Sequence, residues 1–309
     1  LLWILALLNT LIIATRESAL ALWQAHHVAQ RLRVLHPQLD VQLLPMTTRG
    51  DQILDRPLAQ IGGKGLFLKE LEVAMLEGRA HLAVHSLKDI PMVLEAPFVL
   101  SAVLARADAS DALVSNHYAS LAQLPQGARV GTSSLRRQVQ LRVLRPDLQL
   151  LDLRGNVQTR LAKLDAGHYE AIVLASAGLQ RLELGARIRQ RLAAPEFLPA
   201  VGQASLGIEI CADDVRTAAL LAPLEDPIGR LCASAERSFA LALGGSCQVP
   251  IGASATVNGS QLHLDGLIGD AQAQAFLRDS ITGSSADAAA LGAELAQRLL
   301  ARGARSFVQ

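Results

Sequence analysis

The sequence predicts an α/β protein of two or three domains, on three observations. Short apolar runs of strand length alternate with stretches whose apolar residues recur at helical spacing. The 309 residues exceed one ordinary domain, which runs to roughly 100–200 residues. Half the residues are hydrophobic and only 18% are charged, enough to bury sizeable cores.

The elements follow in order. Leu11–Ala14 reads as the first core strand and leads through Thr15-Arg16-Glu17-Ser18 into a helix. Leu20, Trp23, Val28, Leu32 and Leu35 share one broad face of that helix, and His36-Pro37 ends it. Val41–Met46 is the next strand, Leu66–Leu76 a helix stopped by Gly78, and Leu82–His85 a strand delivering Ser86, Lys88 and Asp89 at its end. A second unit follows the turn Pro125-Gln126-Gly127: strand Arg129–Gly131, helix start Thr132-Ser133-Ser134, and helix Leu135–Leu144. Strands Leu148–Leu153 and Ala171–Ala175 then flank a helix near Val157–Ala166. A boundary is expected near Pro223–Pro227. Beyond it come helix Ala233–Leu243, the loop Gly244-Gly245-Ser246-Cys247, and a hairpin of Ser254–Val257 and Gln261–Leu267 across Asn258-Gly259. An amphipathic helix from about Asp287 to Leu300 closes the chain. The two units echo each other (strand, threonine and serine with arginine nearby, helix), but the echo is too short to establish a repeat.

A net charge of +1 gives no whole-molecule case for nucleic acid or an acidic membrane as partner. Of 29 cationic residues only Lys64, Lys69, Lys88 and Lys163 are lysines. The arginines offer planar forks for carboxylates or phosphates, although genomic base composition explains the bias equally. Cys211, Cys232 and Cys247 form no CxxC pair and no metal-ligand spacing, so free thiols in a reducing compartment are expected and no metal. Leu1–Ile13 lacks the basic start and small-residue cleavage site of a signal peptide. It is also shorter than the roughly 20 residues that span a bilayer. Leu1–Leu8 is left without a role.

Five motifs carry chemistry. Thr15-Arg16-Glu17-Ser18 sits at a strand-to-helix junction, where free N–H groups, Arg16 and Ser18 can hold an anion or where Ser18 is simply a cap. Gly131-Thr132-Ser133-Ser134-Leu135-Arg136-Arg137 offers three hydroxyls and paired arginines, more than capping alone requires. Arg154 at a strand end and Arg160 in the next helix extend this reading to a polyanion site, against a solvated helix face. His85-Ser86-Leu87-Lys88-Asp89 places an acid beside a lysine at a strand end, where ligands of open α/β sheets sit. That Asp can act on a proton or developing cation, or form a structural pair with the lysine. His85 points inward and reads as a core histidine. Gly62-Gly63-Lys64-Gly65-Leu66-Phe67 lacks the Ser or Thr of a phosphate loop and suits a flap bringing Lys64 and Phe67 to a ligand, or a plain loop. Gly244-Gly245-Ser246-Cys247-Gln248-Val249-Pro250 exposes a cysteine between small residues and a proline, which fits covalent attachment better than turnover at the thiol.

Taken together, the stretches IATRES (13–18), PMTTRGD (45–51), GGKGLFLKELE (62–72), VHSLKDIP (84–91), GTSSLRRQ (131–138), LRGNVQTRLAKLD (153–165), LPAVGQ (198–203) and GGSCQVPIG (244–252) resemble the porphobilinogen deaminase family. The resemblance implies three domains: 1–104 with 205–222, 110–198, and 227–309, the first two like the lobes of a periplasmic binding protein. It implies a transferase that joins porphobilinogen units into a linear tetrapyrrole on a dipyrromethane cofactor bound through Cys247. Asp89 matches the catalytic aspartate, which assists loss of ammonia and steadies the positive pyrrole nitrogens. Lys88, Asp89, Thr132, Ser133, Ser134, Arg136, Arg137, Arg154 and Gly155 are implied to hold the cofactor. Arg16, Ser18, Lys64, Phe67, Arg154, Arg160 and Gln203 are implied to hold substrate. A cytoplasmic monomer is implied as well. Ser246 and Ala204-Ser205 depart from the family's usual glycine-rich pattern without removing a catalytic group. The competing class is a two-lobed binding protein for an anionic metabolite, which leaves the cysteine loop unexplained. A phosphate-loop nucleotide enzyme is disfavoured at Gly65.

Overall fold

A computed structural model describes residues 9–52, 67–245, 249–270, 272 and 274–307. The described residues up to Arg106, with Ser205–Arg230, form one compact unit; Ala107–Ala204, with those from Leu231 onward, form a second. Both are α/β.

The sheet of the first unit has the strand order Asp40–Met46, Thr10–Arg16, Leu82–Ser86, Leu206–Cys211, Phe98–Val103. The first three are mutually parallel, and the fourth is antiparallel to both its neighbours. Alternation along Thr10–Arg16 sends Leu11 and Ile13 into one core, with Val28 and Leu32 of helix Ala19–Leu35. Ala14 enters the opposite core, with Leu71 and Met75 of helix Lys69–Leu76. Covering both faces in this way is what allows near-continuous apolar strands. Ser18 caps the long helix, its hydroxyl accepting from Ala21 N–H, and His36 ends it.

The second unit holds a sheet of the same order: Gln149–Leu151, Arg129–Gly131, Ala171–Ala175, Asp111–Val114, Ile188–Leu192. Its first three strands are parallel and its fourth is antiparallel, as before. The echo read from the sequence is therefore a repeated topology, with the Thr15 and Thr132 segments both leaving the second strand of their sheets. A three-stranded antiparallel sheet, Ile251–Asn258, Gln261–Gly269 and Phe276–Ser284, completes the unit. It packs on helices Pro227–Ala242 and Ala288–Ala301 through Phe239 and Leu295, which leave no room for a side chain at Gly266.

Three sequence expectations shift. The helix expected from Ala233 begins at Pro227. Proline suits a first helical turn, where its missing N–H is no loss, and Asp226 accepts from Gly229 N–H at 2.6 Å. In the hairpin Asn258 pairs with Gln261, so the two-residue turn is Gly259-Ser260, with Gly259 at φ 59°. The strand Leu148–Leu153 contracts to Gln149–Leu151. Among the described residues no helix is long and apolar enough to cross a membrane.

Candidate active site

In the first unit, the strands Thr10–Arg16 and Leu82–Ser86 end side by side. Thr15 is buried and its hydroxyl donates to Ala21 O at 3.2 Å, fixing the path into the helix. The Arg16 guanidinium carbon lies 4.0 Å from the centroid of the Phe67 ring, a cation–π contact that aims the arginine. Phe67 in turn lies on Gly50, where an added Cβ would meet the ring at 2.2 Å. Ser86 accepts from Gln24 Nε2 at 2.8 Å, and the chain then makes a single 3-10 turn, Leu87–Asp89. Leu87 and Ile90 anchor that turn in the core while Asp89 stays exposed. A cavity of about 60 Å³ brings Arg16, Ser18, Gln24, Phe67, His85, Ser86 and Asp89 together. Lys88 is half-buried beside it in the chain. Lys64 lies outside the described residues.

In the second unit, the hydroxyls at the helix start are engaged locally. Ser134 caps helix Leu135–Leu144 by accepting from Arg137 N–H, and Thr132 Oγ1 accepts from Ser134 N–H. Ser133 both donates to Leu153 O and accepts from Leu153 N–H. All three hydroxyls take part in shaping this turn. Arg136 and Arg137 are not on a solvated face. They are buried and converge on Asp111, at 2.7 Å each. Burial would push the Asp111 carboxyl up, but the two guanidiniums hold it well below the usual carboxylate range. Two cations against one carboxylate leave a surplus positive charge. Gln203 is fully buried, its amide nitrogen donating to Asp111 at 3.0 Å and to Ala109 O at 2.8 Å.

Arg154 and Gly155 follow the strand Gln149–Leu151, and Gly155 at φ 112° faces Thr159 too closely for any other residue. Arg160 donates to Gly155 O at 2.7 Å. Cys247, with Ser246 and Gln248, lies outside the described residues. Downstream of it, Gly252 packs against the Arg136 side chain, where an added Cβ would stand 3.3 Å from the δ-carbon. The sequence reading missed Asp111 and the buried Glu209. Each is a lone acid in an apolar run of strand length, which is itself a signal, since a buried acid requires a buried partner.

The model "Porphobilinogen deaminase, dipyromethane cofactor binding domain" matches residues 11–219, and "Porphobilinogen deaminase, C-terminal domain" matches residues 230–301. The chain belongs to the porphobilinogen deaminase family. The porphobilinogen deaminase of Xanthomonas axonopodis pv. citri (strain 306) is 60% identical over 301 residues, covering 97% of this chain and 99% of its own. That of Stenotrophomonas maltophilia (strain K279a) is 59% identical over 297 residues, covering 96% and 98%. Among solved structures, a nutrient binding protein from Burkholderia cenocepacia bound to methionine aligns with TM-score 0.45 at 13% identity, over 75% of this chain and 95% of its own. The methionine binding protein MetQ aligns with TM-score 0.47 at 13% identity, over 70% and 89%. The family's dipyrromethane is an acidic group. Donors at Thr132–Arg137, the surplus guanidinium charge and the nearby end of the cysteine segment at Gly252 suit it chemically.

Proposed function

We propose that this chain condenses four porphobilinogen molecules head to tail, with loss of ammonia, into hydroxymethylbilane, on a dipyrromethane carried by Cys247. The observation supporting the roles is the cavity that joins Asp89 to Arg16 and Ser18. Each pyrrole carries an acetate and a propionate, so cationic and hydroxyl donors are needed wherever a ring is held, at about 1.5–3 kcal/mol per charge-assisted bond. When bound, the dipyrromethane supplies the pyrrole carbon that couples to the first substrate.

The chain's own groups then divide the work. Arg16, Ser18, Lys64, Phe67, Arg154, Arg160 and Gln203 are proposed to hold or frame substrate; Lys88, Thr132, Ser133, Ser134, Arg136, Arg137, Arg154 and Gly155 are proposed to hold the dipyrromethane. For Ser133 and Gln203, whose groups are engaged internally, the role is to shape the site. Asp89 orients the aminomethyl group of the substrate and offsets the positive charge that develops on its ring nitrogen. Each cycle forms one C–C bond and breaks one C–N bond, and the proton displaced from the pyrrole carbon departs with ammonia as ammonium. We also propose the three-domain division 1–104 with 205–222, 110–198 and 227–309, the first two as binding-protein-like lobes, and a cytoplasmic monomer, which the sparse cysteines suit.

Intact mass of the purified chain tests the reading. A mass heavier than the sequence by a dipyrrole, with turnover of porphobilinogen, is expected. An unmodified chain that binds an anionic metabolite without turnover would favour a binding protein instead. Cys247→Ala is expected to give a chain without the adduct.

A further inference from the structure

What holds Arg16 at the edge of its cavity rests in turn on a residue with no side chain. The Arg16 guanidinium carbon stands 4.0 Å from the centroid of the Phe67 ring. That ring lies so close to Gly50 that an ideal Cβ there would meet its Cε1 at 2.2 Å, its Cδ1 at 2.5 Å and its Cζ at 2.8 Å. Unbonded carbons settle about 3.5–4.0 Å apart, so no side chain fits at position 50 while the ring stays. The backbone itself does not ask for glycine. Gly50 belongs to the short helix Arg49–Gln52, and its φ is not in the left-handed region. A helix prefers alanine to glycine, so what this position requires is empty space alone.

The segment carrying Gly50 is pinned on both sides. Thr47 Oγ1 donates at 2.6 Å to Oε2 of Glu17, the residue next to Arg16. Arg49 N–H donates at 3.2 Å to Oε1 of Glu70, on the helix Lys69–Leu76 that follows Phe67. Thr48, between them, is fully buried. The backbone at Gly50 is therefore tied to the neighbours of both Arg16 and Phe67. An added methyl would be relieved by the half-buried Phe67 ring, not by that backbone. Phe67 and Arg16 both line the cavity that holds Ser18 and Asp89, so a ring pushed off its seat disturbs that cavity and releases the guanidinium.

We propose that Gly50 is a positioning residue for substrate capture: its bare backbone seats the Phe67 ring, and the seated ring holds the Arg16 guanidinium ready for a carboxylate of porphobilinogen. Gly50 acts through Phe67 and Arg16 rather than by touching substrate, and the role rests on the function proposed above. A long arginine stem loses rotamer freedom when it grips a ligand. A guanidinium already held against a ring has lost much of it beforehand, and binding is tighter for that. Such a grip acts on bound substrate and transition state alike, so its loss is read in KM and not in kcat.

Holoenzymes of wild type, Gly50→Ala, Phe67→Ala and the double variant are compared in turnover of porphobilinogen, thermal midpoint and intact mass. Gly50→Ala is expected to raise KM about tenfold with kcat within about twofold, and to keep the dipyrrole adduct. Its midpoint is expected to stay within about 2 °C of wild type, because alanine suits the helix. Phe67→Ala is expected to raise KM at least as much. In the Phe67→Ala background, Gly50→Ala is expected to change KM by less than about twofold, since the methyl then has no ring to displace. An unchanged KM in Gly50→Ala overturns the proposal, as does an equal rise with and without the ring. A midpoint several degrees lower, or a chain that fails to fold, marks a folding role and overturns it as well. Phe67→Ala with an unchanged KM overturns it however Gly50→Ala folds. Wild type that turns over porphobilinogen while those results fail removes the seat alone; wild type without adduct or turnover removes the function, and the positioning role with it.

Discussion

Asp111 is the residue on which the two adjacent arginines depend. It is fully buried between Arg136 and Arg137, and Gln203 completes its shell. Asp111→Ala leaves two buried cations without their counter-ion and is expected to cost about 3–5 kcal/mol, read as a lowered denaturant midpoint. Ala204 adopts φ 73°, a left-handed backbone that favours glycine. Ala204→Gly is therefore expected to stabilise the chain by about 1 kcal/mol in the same measurement. Asp89, Arg16 and Ser18 were legible in the sequence because strand ends followed by helix starts place side chains at one edge of a sheet. The internal bonds of Ser133 and Gln203 were not legible, because a hydroxyl or amide in a motif gives no sign of the carbonyl or carboxylate it meets in the fold. The pairing of Arg136 and Arg137 was illegible for a related reason. Their partner lies on a strand more than twenty residues earlier, and spacing along the chain carries no trace of it.

At the scale of elements, caps and registers do most of the positioning. Ser134 fixes the first turn of helix Leu135–Leu144, and Ser134→Ala is expected to cost about 1 kcal/mol, checked by thermal or denaturant unfolding. His81 holds strand Thr10–Arg16 from below, its Nδ1 accepting from Ile12 N–H at 3.0 Å. Burial lowers its pKa in the folded chain, so the neutral ring is the stable form. That contribution is present above the ordinary histidine value and is lost as pH falls below about 6.5. Wild type is expected to lose thermal midpoint through that range more steeply than His81→Gln. Most parallel strands and long helices were readable from periodicity alone. The fourth strand of each sheet was not: Leu206–Cys211 is interrupted by Gly207 and Glu209, and Asp111–Val114 opens on a buried acid. In each strand a buried acid, Glu209 or Asp111, stands where the apolar run would have made the pattern plain.

At the scale of the whole molecule, the sequence's excess of arginine over lysine has a use that net charge conceals. The +1 overall balance hides guanidiniums paired internally, as at Asp111, and others beside strand ends. The same strand order occurs in both five-stranded sheets, so each unit offers a strand-to-helix junction of the same kind, one carrying Arg16 and Ser18, the other Thr132 to Arg137. The central claim is that Asp89 drives each coupling on a chain tethered at Cys247. Its most direct test is the intact mass of Asp89→Ala after exposure to porphobilinogen, beside wild type. Wild type is expected to show added pyrrole units above the dipyrrole-bearing mass, and Asp89→Ala to carry the dipyrrole but gain further units at least about a hundredfold more slowly, the range of a lost acid–base group. Asp89→Ala that extends the chain at the wild-type rate would contradict the account.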